Sequence, residues 1–365
     1  MGIIYGIKMK NKENNRLLHI DILKAIGIRY MIIGHVYGKG TAIDMYLVAF
    51  HMPLFFFVTG YLHHEYNIKD FLKRKFNALI VPYLFFGLLN TVFVFIFEQE
   101  YGIAKYFRNL FWINNEPPLP VSGALWFLTG LFFACIIFEL LYKYLNKKAL
   151  PFVIILLVSI EYILKFKLPY SIDTAIYMLP IIYLGLMFSK LESSKLYLQK
   201  TNRLKLVIYS IFCITLSYFL IFKNGYVNTR MCEFSNIFLF YINALVATIG
   251  YFYLSKLATS ILKFGILQFI GKNSLEFMCL NQIVLIALIK CGIENKICLF
   301  AITIMLLCII IYLIKKFSFD SIYKNKVVDN VNGKTMTDNV HLINKIIPGL
   351  NHEIFQKSLL TIENK

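Results

Sequence analysis

The chain has 365 residues, of which 58% are hydrophobic and 16% aromatic, and its mean hydropathy is +0.65. A soluble globular domain is about 45–50% apolar, so this composition excludes an ordinary water-soluble protein. The net charge is +18, but the cations are spread over many short segments instead of one face, which argues against a nucleic-acid-binding protein.

Apolar runs long enough to cross a hydrocarbon core of roughly 30 Å recur along the whole chain. They predict an all-α, polytopic membrane helical bundle of about ten transmembrane helices. The predicted spans lie at approximately 17–38, 44–62, 78–98, 124–145, 149–165, 174–190, 204–222, 236–256, 272–290 and 297–314. Residues 1–16 are predicted to be a cytoplasmic segment, 17–316 the transmembrane domain and 317–365 a polar cytoplasmic tail.

The segments between these spans alternate in charge, and one alternate set is rich in lysine and arginine. The opposite set, which includes 99–123, is poorer in cations. By the positive-inside rule, both termini are cytoplasmic. The N-terminus lacks a cleavable signal pattern. We therefore expect a multi-pass protein of the cell inner (cytoplasmic) membrane, in contact with the lipid bilayer.

The first predicted span carries ionisable residues that a bilayer makes costly. Lys24 and His35 are eleven residues apart, which on a helix is about 16 Å along the axis and about 20° around it. Asp21 belongs to the same face and is close enough for an ion pair with Lys24. Such groups usually face a bundle interior or a hydrated cavity. The alternative is that Asp21 and Lys24 snorkel at the interface while His35 makes a buried hydrogen bond.

The second predicted span places His51 two residues before Pro53. A proline inside a helix frees a carbonyl and usually bends the helix, which favours a polar pocket nearby. Both histidines fall in the outer halves of consecutive antiparallel spans. A site shared by His35 and His51 is therefore plausible, although spacing alone does not establish it.

Five segments occur in an order that carries a resemblance. They are HIDILKAIGIRYMIIGH (19–35), FHMPLFFFVTGYL (50–62), FLKRKFNALIVPYLFF (71–86), GALWFLTGLFF (123–133) and IGKNSLEFMCL (270–280). Together they resemble the acyltransferase-3 family, and are most similar to its stand-alone, fucose-4-O-acetylase-like branch. The resemblance implies about ten helices and transfer of an acyl group, usually acetyl from cytoplasmic acetyl-CoA, to a hydroxyl of a surface sugar.

The family's first-helix signature is a basic residue, ten residues and an essential histidine, which Lys24 and His35 match. The resemblance makes His35 the candidate general base for a sugar hydroxyl, or else a covalent acyl carrier. Lys24 would hold the donor's phosphate or pantetheine carbonyl, or orient the site through Asp21. A thioester is already activated and no cluster has metal-ligand spacing, so we expect no metal.

Other candidate residues serve the donor and the acceptor. The basic run Lys73, Arg74 and Lys75 would dock coenzyme A phosphates at the cytoplasmic mouth, or else is ordinary positive-inside charge. His51, Trp126 and Asn281 are assigned to the acceptor pocket or its support. Trp126 is first an interfacial anchor and second a sugar platform. Asn273 and Ser274 are first a helix N-cap and second donor contacts.

Three positions depart from the family pattern. Arg29 replaces an apolar residue, and it would snorkel or pair with a carboxylate such as Glu276, Glu139 or Glu161. Asn77 and Ala78 stand where another basic residue is usual. Asn281 stands where many members have a histidine, which disfavours a mechanism with a second histidine on the ninth span.

Two functions remain open at this point. The first is an O-acyltransferase for a cell-surface or capsular saccharide, free or lipid-linked, acting alone, as a homo-oligomer or with a separate extracytoplasmic partner. The second is a carrier or exporter of a lipid-linked sugar, whose intramembrane charges line a path. A protein that couples acylation to export is also conceivable.

Overall fold

The computed structural model of the protein describes residues 17–38, 42–97, 103–112, 124–194, 202–261 and 265–331. Helices dominate these ranges, because a helix satisfies its own backbone groups where no water is available. They are α1 (Leu18–Tyr37), α2 (Ala42–Val48), α3 (His51–Tyr61), α4 (Ile68–Lys75), α5 (Val81–Phe97), α6 (Ile103–Phe111), α7 (Trp126–Tyr144), α8 (Leu150–Leu164), α9 (Ile172–Ser193), α10 (Arg203–Asn224), α11 (Ile237–Ile261), α12 (Gly265–Lys272), α13 (Ser274–Lys290) and α14 (Lys296–Val331). A π-helical turn, Phe76–Ile80, joins α4 to α5, and a 3-10 turn, Pro169–Ser171, precedes α9.

The chain divides into two units, Leu17–Ile311 and a second formed by Met1–Arg16 with Tyr312–Lys365. In the described ranges, six helical stretches are long and apolar enough to cross a membrane, or seven if α12 and α13 form one bent span. The all-α, polytopic helical fold is therefore confirmed, while the number of ten spans remains a prediction. The predicted cytoplasmic segment 1–16 and most of the predicted tail lie outside the described residues.

The second predicted span is broken into two helices. α2 ends at Val48 and α3 begins at His51, with a turn at residues 49 and 50. Pro53 lies in the first turn of α3, where its missing N–H breaks no helical hydrogen bond. The expectation of a proline bend inside a continuous helix is wrong, because the chain breaks before the proline.

The ninth predicted span, 272–290, corresponds to α13, and the chain bends by 88° just before it, between α12 and α13. Asn273 stands at the break, but its side chain makes no capping bond to α13. Its Nδ2 donates instead to the Phe269 carbonyl at 2.7 Å, at the end of α12. Asn273 is therefore the N-cap residue of α13, as expected, but its side chain bonds the preceding helix instead of the α13 backbone.

Two further elements lie between spans. Helix α6 occupies part of 99–123, which was expected to be a loop, while residues 113–123 lie outside the described residues. A short hairpin between α10 and α11 pairs β1 (Val227–Asn228) antiparallel with β2 (Glu233–Phe234). The hairpin lies at the predicted outer side, opposite the basic loops.

Three glycines allow two pairs of helices to pack backbone to backbone. A side chain at Gly60 of α3 would collide with the Ile182 backbone of α9, and one at Gly185 would collide with the Phe57 backbone. A side chain at Gly271 of α12 would likewise strike the Asp21 backbone of α1. Small residues at contacts are typical of membrane helix packing. The contact between Gly271 and Asp21 places α12 directly beside the polar face of α1.

Candidate active site

The polar face of α1 begins with an ion pair near its predicted cytoplasmic end. Lys24 Nζ lies 3.8 Å from Asp21 Oδ1. Asp21 is buried and Lys24 is half-buried. The pairing expected from the three-residue spacing is present.

His35 lies in the last turn of α1 and is exposed. The Nε2 atom of Gln282, on α13, lies 3.4 Å from His35 Nδ1 and 3.5 Å from His35 Nε2. A side-chain amide therefore flanks the imidazole without covering it. The ring is accessible at the predicted outer end of the helix.

Gln282 immediately follows Asn281, the position where the resemblance suggested a histidine. Asn281 is fully buried, and its Nδ2 donates to the Met278 carbonyl. Its Oδ1 has no hydrogen-bond partner among the described residues. On α13, therefore, Gln282 contacts His35 and Asn281 does not occupy that place.

His51 opens α3, directly after the break in the second span. Its Nδ1 lies 2.6 Å from the Leu47 carbonyl oxygen. Because a carbonyl can only accept, Nδ1 carries the proton, and in the neutral ring Nε2 keeps its lone pair. The break therefore orients His51 with one nitrogen anchored to the backbone and the other able to accept a proton.

The hairpin between α10 and α11 supplies Arg230. This side chain is half-buried, and its Nε has no hydrogen-bond partner among the described residues. Burial lowers the pKa of Arg230, while Tyr226 and Glu233 act to raise it. A guanidinium remains protonated in proteins even so. Arg230 is therefore a partly desolvated positive charge whose Nε–H can donate a hydrogen bond to a substrate.

His35, His51 and Arg230 converge. Both His51 and Arg230 are close enough to His35 to act electrostatically on its ring. The three side chains come from α1, α3 and the hairpin. One further imidazole and a guanidinium near the accessible ring of His35 form a constellation able to move a proton and stabilise an oxyanion.

Sequence reasoning had found the two histidines but had missed Arg230 and Gln282. Arg230 lies outside every apolar run and in no recognisable motif. Gln282 is a single amide in an apolar span, which is also compatible with packing. The one signal available was that each is a polar residue at the predicted outer half of the protein.

Arg29 lies apart from this constellation. It is exposed on another face of α1. Within the described ranges it forms no ion pair with any of the three carboxylates considered for it. Glu139 pairs instead with His63, whose Nε2 lies 2.8 Å from Glu139 Oε2.

A cavity of about 190 Å³ lies near the predicted cytoplasmic side, and Arg74 and Lys75 are among its lining residues. The Arg74 guanidinium lies 4.2 Å from the centre of the Tyr66 ring. Lys75 acts electrostatically on the Cys135 thiol, and Cys135 and His63 also line the cavity. We name this the cytoplasmic basic pocket. Lys73 is exposed and is not among its lining residues.

Trp126, the first residue of α7, is 5% exposed. Its ring packs edge-on against Phe127, with 6.2 Å between ring centres. A buried ring neither faces the membrane interface nor offers a free face to a sugar. Trp126 therefore belongs to the core and is neither an interfacial anchor nor a sugar platform, while a supporting role around the acceptor pocket remains a prediction.

The family model for an acyltransferase domain, that of the acyltransferase-3 family, matches residues 17–315. The chain belongs to the acyltransferase-3 family. No curated protein and no solved structure matches the chain. Family membership makes the protein a membrane acyltransferase, and the fucose-4-O-acetylase-like branch remains a prediction.

Proposed function

We propose that this acyltransferase moves acetyl from cytoplasmic acetyl-CoA to a hydroxyl of a cell-envelope saccharide, in the cytoplasmic membrane. The observation that carries the proposal is the convergence of His35, His51 and Arg230. A saccharide hydroxyl is a weak nucleophile, and its activation needs a base beside a group that stabilises negative charge.

In the proposed reaction, His35 accepts the hydroxyl proton as the hydroxyl oxygen attacks the acetyl carbonyl carbon. The Arg230 guanidinium stabilises the oxyanion of the tetrahedral intermediate. The carbon–sulfur bond then breaks, the acetyl ester remains on the sugar, and the proton passes from His35 to the coenzyme A thiolate. His51, through its free Nε2, accepts a hydrogen bond from a neighbouring hydroxyl of the same saccharide and so positions the reacting hydroxyl, whose own proton goes to His35.

Donor binding is assigned to the cytoplasmic basic pocket. Coenzyme A carries several phosphate charges, and Arg74 and Lys75 supply cations beside the aromatic ring of Tyr66. Lys24 lies on the polar face of α1 between this side of the membrane and His35, and is proposed to contact the pantetheine arm. The narrow shape of that arm suits a path between helices.

The test uses the full chain reconstituted in lipid vesicles, with labelled acetyl-CoA and envelope saccharides extracted from a strain that lacks the protein. The proposal expects label in an ester on the saccharide, and a mass increase of one acetyl group per modified sugar. Transfer of a different acyl group would show that the donor is an acyl-CoA other than acetyl-CoA. Passage of a lipid-linked sugar across the vesicle membrane without esterification would support the carrier instead.

A further inference from the structure

An apolar cavity of about 420 Å³ lies on the side of α1 away from His35. Its walls come from α1, α2, α10 and α14, and include Tyr30, Ile33, Tyr37, Leu47, Tyr218 and Ile297. We name this cavity the lateral groove. It falls in the predicted outer half of the membrane, since α1 ends and α14 begins there.

The lateral groove opens towards lipid and has a hydrocarbon-like wall. Ile297 is 72% exposed and Tyr218 is 47% exposed, so no helix among the described residues covers these two side chains at its rim. The hydroxyls of Tyr30 and Tyr46 both bond Tyr251, at 3.0 and 3.2 Å. Because these hydroxyls bond within the protein, the groove presents ring faces and aliphatic side chains to an occupant.

One end of the groove carries a cation. Lys296, the first residue of α14, lines it and is exposed. Its Nζ lies 3.4 Å from the Tyr37 carbonyl and 5.3 Å from the centre of the Tyr37 ring. An ammonium group at the outer interface, above an apolar groove, is complementary to a lipid with an anionic phosphate.

The cationic end of the groove lies close to the proposed catalytic residues. Tyr37 is two residues beyond His35, and α1 ends there. His35 projects from the opposite face, since two helical steps turn about 200°. A headgroup attached to a phosphate at Lys296 therefore reaches His35 by passing over the end of α1. Leu47 belongs to both regions, because it lines the groove and its carbonyl is bonded by His51.

We propose that the lateral groove binds the acceptor as a polyprenyl-type lipid whose phosphate carries the saccharide. The hydrocarbon chain lies in the groove, the phosphate contacts Lys296, and the sugar extends over the end of α1 to His35. The delivery of a sugar to His35 rests on the proposed function, whereas the lipid-phosphate site stands on the groove and Lys296 alone.

Binding is tested without any acyl donor, so the result does not depend on catalysis. The full chain is placed in phosphatidylcholine nanodiscs, polyprenyl phosphate is added as the probe, and bound lipid is counted by native mass spectrometry. The matched control is Lys223→Gln, which removes an exposed lysine from the last turn of α10, outside the groove.

The proposal expects Lys296→Gln to weaken polyprenyl phosphate binding roughly tenfold, since one charge-assisted contact is lost. Ile33→Phe narrows the groove and should weaken binding of both the phosphate and the uncharged polyprenol. Lys223→Gln should bind the phosphate like the unmodified protein. The same mass spectra show whether each variant remains intact and inserted.

Three outcomes would overturn the proposal. One is equal retention of polyprenyl phosphate by the unmodified protein, Lys296→Gln and Ile33→Phe. Another is equal retention of phosphatidylglycerol, which would indicate bulk lipid at the groove. The third is displacement of the probe by inorganic phosphate, which would indicate a free-anion site. Failure of acyl transfer with binding intact would count against the proposed function alone.

Discussion

The guanidinium of Arg230 acts electrostatically on the imidazole of His35, although one lies in a hairpin between α10 and α11 and the other at the end of α1. The Arg230 Nε has no hydrogen-bond partner among the described residues. A partly buried cation with an unused donor, beside an accessible imidazole, suits an oxyanion that exists only during the reaction. This relationship leads to the first prediction.

Arg230→Gln should lower kcat by about 10²–10³-fold, the usual loss when one oxyanion donor is removed. The KM for acetyl-CoA should change little, since the donor is assigned to the opposite side of the membrane. Steady-state kinetics in vesicles measure both constants. A rise in KM with kcat unchanged would assign Arg230 to substrate binding.

His51→Asn separates the anchoring role of this residue from its proton-accepting role. The asparagine amide keeps a donor near the position of Nδ1, and so near the Leu47 carbonyl, but it has no counterpart of Nε2. We expect normal insertion and a single-turnover rate about 10²–10⁴-fold lower, the range for a positioned acid–base group. Full activity in this variant would restrict His51 to a structural role.

Arg74→Gln should raise the KM for acetyl-CoA about tenfold, because one charge-assisted contact to phosphate is lost. Lys73→Gln is the matched control, since Lys73 is adjacent in the sequence but does not line the cytoplasmic basic pocket. Rates measured over a range of acetyl-CoA concentrations compare the two variants. If both variants raised the KM equally, the basic run would only mark the cytoplasmic side of the membrane and would not bind the donor.

Gly271→Ala should destabilise the protein, because a methyl group there meets the Asp21 backbone. The expected loss is about 1–3 kcal/mol, as for other overpacked contacts. Gly265→Ala, on the same short helix, has no atom within 4 Å of the added carbon and serves as the control. Thermal unfolding in detergent should show a lower transition temperature for Gly271→Ala alone.

Features that depend on local periodicity could be predicted from the sequence. The ion pair of Lys24 with Asp21 follows from helical spacing, and the apolar runs correspond to helices. The antiparallel neighbouring spans suggested a site shared by His35 and His51 without establishing it, and the electrostatic influence of His51 on His35 agrees with that hypothesis. In these cases the helix period and the membrane thickness constrain the geometry strongly.

Features that depend on tertiary contact could not be predicted in the same way. The break at residues 49 and 50 lies inside a continuous apolar run, so hydropathy gives no sign of it. Arg230 belongs to a hairpin whose position depends on the packing of α10 and α11. Trp126 resembles an interfacial residue in sequence, and only the packing of α7 shows that it is buried.

The most direct test of the proposed mechanism is acetyl transfer by His35→Gln in reconstituted vesicles, measured as acetyl esters on the saccharide. Arg29→Gln is the matched control, because Arg29 is an ionisable residue of the same helix on another, exposed face. The mechanism predicts that His35→Gln inserts normally and forms no ester above background, while Arg29→Gln retains activity. Ester formation by His35→Gln at the rate of the unmodified protein would contradict it.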